Sequence, residues 1–396
     1  MRIATITFQQ NATSQMNNLS ADLAKTQNDL ATGTRLHSAA DDPSAMSQVN
    51  ALNVQMSAST QYVTNGNYAT STLSLEEQAM SDATNTLQSA RDLAVEANNP
   101  ALSASQRADI AAQLQQQLQD LISIGNRVDG SGNQIFAGTA SNTVPFSQNG
   151  TAVSYLGADK TSQIQIGPNQ RISSGDTGAA VFMNIPAGNG TFTTSGAAAN
   201  TGTGSIGVGT VSNAAAWVPD TYTIAFTSPT NYTVTNSTGT VVSTVTNFKD
   251  GDAISFNGVQ IPMTGTPAAG DTFTVAKAGN ASAFSTLQSI ITTLNDPTLS
   301  NAQISSKIGG SLQQIDNAIS NMSSVSASVG ARINSITSSQ GAAQALQTNL
   351  TTAVSQLSDT DYAAAITKLN TEEVSLQAAQ QSYASISQLS LFKYIQ

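Results

Sequence analysis

Apolar residues recur every seven positions toward both ends of this 396-residue chain, and that recurrence limits what the chain can fold into. Met16, Leu23 and Leu30 are seven apart with Leu19 interleaved. Leu73, Met80 and Leu87 repeat the spacing, Ala94 extends it, and Ala83, Ala90 and Ala97 form a companion row. Downstream, Ile315, Met322, Val329 and Ile336 form one row and Leu312, Ile319 and Ile333 another, while Leu369, Leu376 and Tyr383 continue the pattern near the end. This is the spacing of a seam between helices wound about one another, so every row needs a partner. A shorter helix is expected over about 104 to 128, where Leu114, Leu121 and Val128 form a row flanked by Ile110 and Leu118, after a capped break at "NNPALSAS".

Between these arms the texture changes. From about 141 to 280 the chain is dense in Thr, Gly, Asn, Val and isolated aromatics, with Asn-Gly turn signals at Asn149, Asn189 and Asn257. "TYTIAFT" alternates Tyr222, Ile224 and Phe226 with small polar residues, as a half-buried strand does. "NYTVT" repeats the device, "AISFNGVQI" reads as a hairpin about Asn257 and Gly258, and "GDTFTVA" as a further strand. "GNQIF" is expected to begin a strand, and the low-complexity run 187–209 to be an exposed loop. The expected fold class is therefore α+β: a long antiparallel helical bundle or coiled coil built from both chain ends, with an inserted β-rich outer domain. Its expected parts are an N-terminal helix and connector (1–42), a helical rod (43–140), the β-rich domain (141–280), the returning rod (281–344) and a C-terminal helix (345–396).

Composition narrows the function. A chain of this length exceeds one ordinary core. Only 10% of residues are charged, against about 25% in an ordinary soluble domain. Uncharged polar surface is buried at lower desolvation cost than charge, which favours extensive subunit contacts. A net charge of −10, with no basic patch, argues against nucleic acid as a partner. The absence of cysteine excludes thiolate catalysis and disulfides. No window approaches the ~18 apolar residues of a membrane span, so no membrane partner is expected, and the N-terminus lacks a signal-peptide core. A terminal helix buries too few apolar side chains to offset its own ordering, so residues 1 to about 40 and 345 to 396 are expected to become helical on assembly.

The stretch "LATGTRLHSAADDPSA" gathers Arg35, the single histidine His37, and Asp41 with Asp42 between two helical patterns. Gly33 fits the left-handed position after a helix, and Asp42 with Pro43 fits an N-cap followed by the first helical residue. A segment bounded in this way is a joint rather than a catalytic site. "DGSGN" at 129–133 lacks the closing glutamate of a calcium loop. Glu76 with Glu77, and Asp359 with Asp361, read as solvated helix faces or helix starts. "NDP" at 295–297 repeats the cap-then-proline device. No phosphate-binding glycine loop is present. The residues supply no catalytic constellation, no metal ligands and no cofactor site, so no enzyme is expected.

The joint motif resembles the signature that follows the first helix of bacterial flagellins and their relatives. "MRI" at the start, "NQIFAGT" at 133–139, "SVGARIN" at 328–334 and the ending "LSDTDYAAAITKLNTEEVSLQAAQQSYASISQLSLFKYI" are more similar to the hook-associated protein 3 family. Thr34 and His37 depart from the family pattern. The resemblance implies a rod-shaped structural subunit of the bacterial flagellum, exported through the type III apparatus and located outside the cell. It implies partners as well: a homo-oligomeric ring, a second hook-associated junction protein, filament flagellin, and an export chaperone before assembly. Carried onto this chain, Met16, Leu19, Leu23 and Leu30 would face Leu369, Leu376, Tyr383, Ile386, Leu389 and Phe392 in an assembled inner layer. Residues 33–43, with Gly33, Arg35, Asp41, Asp42 and Pro43, would form the spoke to the next layer. The alternatives are a filament flagellin and a secreted adhesin carried on helical arms.

Overall fold

A computed structural model describes residues 2–392, with side-chain surroundings for residues 6–387. Its helices are α1 (Arg2–Thr32), α2 (Pro43–Ala97), α3 (Ala104–Gly125), α4 (Ala283–Asn295), α5 (Asn301–Ser358) and α6 (Tyr362–Phe392). The chain divides into two compact units, one comprising residues up to Thr64 and from Gln340, the other Asn65–Ser339. Long helices at both ends of the sequence and a β-rich centre make this an α+β fold.

In the Asn65–Ser339 unit the sevenfold rows are the core. Leu73, Met80, Leu87 and Ala94 of α2, and Ala83, Ala90 and Ala97 beside them, are at most 1% exposed. On α5 the row begins one heptad earlier than the sequence pattern indicates: Ile308, Ile315, Met322, Val329 and Ile336 are equally buried. Helix α3 starts at a capping box in which Ser103 and Gln106 satisfy each other's backbone N–H groups. It ends at Gly125 rather than near 128. A Cβ on Gly125 would lie 2.7 Å from the Phe146 ring, and the Asn126 side chain exchanges two hydrogen bonds with the Phe146 backbone, turning the chain out of the helix. Val128 is consequently exposed instead of extending the row.

Residues 146–185, grouped by composition with the β-rich middle, bury their apolar side chains in the helical core instead. Phe146, Ile166, Val181, Phe182 and Ile185 are the segment's buried members of that core, whereas Leu156 is exposed. The segment forms hairpins β1 (Phe146–Asn149) with β2 (Ala152–Tyr155), and β3 (Gln163–Gly167) with β4 (Gln170–Ser173), then a single π-helical turn, Ala179–Met183. Ring contacts at 4.8–5.6 Å join Phe136, Phe146, Phe182 and Phe284, tying this segment to α4. "GNQIF" is a turn, not a strand: after a lone bridge between Val128 and Gln134, Ile135 and Phe136 are buried as irregular backbone.

The β module has a core of its own. It is entered through β5 (Ile185–Pro186), and contains β6 (Phe192–Gly196), β7 (Ser205–Ile206), β8 (Thr210–Val211), β9 (Tyr222–Ser228), β10 (Asn231–Thr235), β11 (Val241–Val245), β12 (Ala253–Phe256), β13 (Val259–Thr264) and β14 (Thr272–Lys277), leaving through β15 (Asn280–Ala281). One sheet runs β11-β10-β9-β14-β6, and a second runs β12-β13-β7 with β8 beside β13. Tyr222, Ile224 and Phe226 face inward from β9, as their alternation indicates. Asn257 and Gly258 both take positive φ in the β12–β13 hairpin. The 187–209 run is not an exposed loop. It supplies β6 and β7, with Phe192 and Ile206 in the core, because β14 and β13 pair with it from far along the chain. β5 pairs with β15, and the Ala187 N–H donates to the Gly279 carbonyl at 3.0 Å, so the chain enters and leaves side by side.

Candidate assembly interface

The unit made by the two chain ends pairs α1 with α6. The end of α1 is sewn to the start of α6 by two main-chain bonds, the Arg35 N–H to Ser358 O at 2.7 Å and the Thr360 N–H to Gly33 O at 2.9 Å, and by the Thr360 side-chain hydroxyl donating to Asp29 O at 3.1 Å. Two packed helices joined at the end of one and the start of the other run antiparallel. Their facing sides are periodic. On α1, Ala12, Met16, Leu19, Leu23 and Leu30 are half-buried and Thr26 buried; on α6, Leu369, Leu376 and Tyr383 are half-buried and Ala365 and Glu372 buried. The Asp29–Thr360 bond sets the register, placing Leu19 level with Leu369 and Leu23 level with Ala365, so Leu376 faces the level of Ala12 rather than Leu23. Ile386 is 44% exposed and off this seam; Ser387 takes the half-buried place beside it. Leu389 and Phe392 lie outside the residues whose side chains the structure describes.

The segment from Gly33 to Pro43 is a built joint. Gly33 has φ +74, and a Cβ there would sit 3.0 Å from the Tyr362 hydroxyl. Asp41 collects the Lys25 ammonium at 2.6 Å, the Ser38 N–H at 2.9 Å and the His37 N–H at 3.2 Å. Chiefly through the Lys25 hydrogen bond, its carboxyl is held well below the usual carboxylate range. Asp42 caps α2, accepting from the Ser44 and Ala45 N–H groups at 3.1 and 3.0 Å, with Pro43 at the first helical position. His37 Nε2 meets Asp29 Oδ1 at 2.9 Å. Arg35 takes part through its backbone; its side chain forms no hydrogen bond or ion pair among the described residues.

The other candidate groups are accounted for locally. Asp361 caps α6 through the Ala363 and Ala364 N–H groups. Asp129 accepts from Ser131 and Asn133 within its own turn, and Asp296 from Thr298. Among the described residues no group of three acidic or histidine side chains is placed to hold a metal, and no helix is long and apolar enough to cross a membrane.

Glu76 is the exception. Read beside Glu77 as part of a solvated face, it is in fact fully buried. It lies seven residues before Ala83 on the companion row of α2, a phase that the sequence displays. Its Oε1 accepts the Asp176 N–H at 3.0 Å, and Arg332 of α5 is ion-paired with the Asp176 carboxylate. Burial, and then the Asp176 charge, push the Glu76 carboxyl up to about 8, against the pull of Arg332.

Helical arms from both ends of one chain, paired antiparallel and separated by an inserted β module, define a flagellin-type protein. The family models agree: the bacterial flagellin N-terminal helical region matches residues 3–141 and the C-terminal helical region residues 312–395. The chain belongs to the flagellar hook-associated protein 3 family. It is 34% identical to flagellar hook-associated protein 3 of Salmonella typhimurium over 185 residues, 47% of this chain and 58% of that one. Thus the matched part spans little more than half of that relative. The crystal structure of hook-associated protein-3 from Legionella pneumophila superposes with a TM-score of 0.75 at 31% identity, covering 78% of this chain and 98% of that one. FlgL from Xanthomonas campestris gives 0.72 at 30%, covering 77% and 99%. A structure described as the flagellar junction protein FlgL from Legionella pneumophila gives 0.67 at 33%, covering 74% and 99%. Within the β module, residues 195–277 match the D2-like domain of flagellar hook-associated protein 1.

Proposed function

We propose that this chain is a structural subunit joining the hook of a bacterial flagellum to its filament, outside the cell. In this reading it assembles as a ring of identical copies, between a second hook-associated junction protein and filament flagellin, after escort by an export chaperone. Its work is mechanical and involves no turnover.

The observation that carries the reading is a contrast between two seams of the same period. In the Asn65–Ser339 unit, Leu73, Met80, Ile315 and Met322 are at most 1% exposed, whereas Met16, Leu19, Leu23, Leu30, Leu369, Leu376 and Tyr383 remain half-buried. One copy does not complete the terminal seam. Neighbouring copies supply the remaining apolar contact, which is how a helical assembly is driven by burial. The exposed Ile366 and Val374 on α6 and Val54 on α2 extend the apolar surface available to those neighbours. Gly33, Arg35, Asp41, Asp42 and Pro43 serve as the spoke between assembled layers, with the Arg35 guanidinium offered to another copy.

The test is Leu376→Asp, which places a charge on the terminal seam. The variant is expected to be exported but not retained at the hook-filament boundary, leaving cells without attached filaments. Normal filament attachment would refute the seam. Purified protein growing by itself into long filaments would favour the flagellin alternative.

A further inference from the structure

We propose that Glu76, Asp176 and Arg332 form a proton-operated clamp, which fastens residues 174–178 between α2 and α5 while a buried proton is held and loosens when that proton leaves. The geometry carries the assignment. Glu76 occupies a core position on α2, with Ala69, Leu73, Met80 and Ala83 buried around it along the same seam. Arg332 lies seven residues beyond Val325 on α5, so two seams converge on this point. Between them the loop contributes the Asp176 N–H to Glu76 Oε1, the Asp176 carboxylate to Arg332, and the Gly175 carbonyl to Arg332 at 3.5 Å.

The charges do not balance unless a proton is present. There are two carboxyl groups and one guanidinium, and the guanidinium is engaged by Asp176, by Gly175 and, through Nε, by the Ser328 carbonyl at 3.4 Å. Glu76 Oε2 has no hydrogen-bond partner among the described residues. An ionised, unpaired carboxylate in this position is costly, whereas a protonated one is tolerated. Among the described residues, the charges that act on it are those of Asp176 and Arg332. On α5 the preceding charged residue, Asp316, is more than four turns away and paired with Arg91. From the 127–137 segment, Arg127 is paired with Asp82 and Asp129 is closed in its own turn. Glu77, the neighbour on α2, faces solvent.

Solvent has a route to the clamp. Gly175 and Asp176 line a cavity of about 310 Å³ that also borders Tyr68, Thr72, Asp129 and Gln134. When the loop lifts, water enters from that cavity and Glu76 becomes an ordinary carboxyl. The closed clamp holds its proton up to about 8, and the open one only to the ordinary value of 4.5. The direction follows: because the closed-state value is raised, closure is favoured at acid pH and weakens as pH rises from 4.5 to about 8, with no further change above that.

Amide hydrogen exchange on the full chain, corrected for the intrinsic pH dependence of exchange, tests this at Asp176, whose N–H closes the clamp. Protection of that amide is expected to fall roughly tenfold per pH unit between about 5 and 8 and then to level off. Glu76→Gln keeps the acceptor and removes the ionisation, so its protection should be flat with pH. Asp176→Asn removes the neighbouring negative charge, and the levelling point should move to lower pH. If Glu76→Gln does not fold, carboxyl-carbon NMR of the labelled native chain reads the same quantity. Wild-type protection independent of pH, a Glu76→Gln profile that matches wild type, or a Glu76 carboxyl that ionises below pH 6 would each overturn the clamp.

Discussion

Single positions in this chain carry more structural meaning than their chemical type alone reveals. Gly33 is needed because the backbone turns left-handed where α1 ends, and because the Tyr362 hydroxyl stands where a Cβ would go. Gly33→Ala should loosen the joint by about 1 to 2 kcal/mol, read as faster exchange of the Thr360 amide, whose hydrogen bond runs to Gly33 O. Unchanged exchange there would mean that the joint is held elsewhere. Gly33, Asp42 and Pro43 were legible in the sequence because caps depend on residue type at fixed offsets within a few positions. The network around Asp41 was not, since Lys25 reaches it from two turns inside α1. Glu76 was misread for a different reason. Two adjacent glutamates look solvated when judged by charge, but only one of them is in phase with Ala83, Ala90 and Ala97.

At the scale of elements, a sevenfold period announces that a helix has a seam without saying how completely one chain fills it. Helices α2 and α5 have theirs filled, and α1 and α6 do not. Met322→Ala should therefore cost the free chain about 2 to 5 kcal/mol, whereas Leu376→Ala, at a half-buried position, should cost distinctly less. Denaturant unfolding of the two variants side by side checks the order, and equal losses would contradict the contrast. Strands such as β9 and β10 were legible because local alternation reports a face. β6 and β7 were hidden, since Gly, Ala and Ser dominate their surroundings and their partners β14 and β13 lie more than fifty residues on. The end of α3 was missed because Phe146, outside the helix, decides it.

At the scale of the whole molecule, the division into helical arms and a β-rich middle was readable. The limits of the middle were not. Composition extends it back to 141, but Phe146 and Phe182 belong to the helical core, and their neighbourhood with Phe284 comes from tertiary contact alone. A deletion meant to separate adhesion from assembly must spare them. Replacing 188–278 by a short glycine linker should preserve the helical melting transition and incorporation into flagella, whereas removing 145–280 should abolish both. Loss of helical melting in the shorter deletion would show that the rod depends on the β module.

Since the Ala187 N–H donates to Gly279 O at 3.0 Å, the chain enters and leaves the β module through one narrow doorway. A doorway of that kind makes the outer body exchangeable: recombination can substitute one cassette for another of different size, altering what the surroundings meet, while the two cut ends still coincide and the rod inherits no strain.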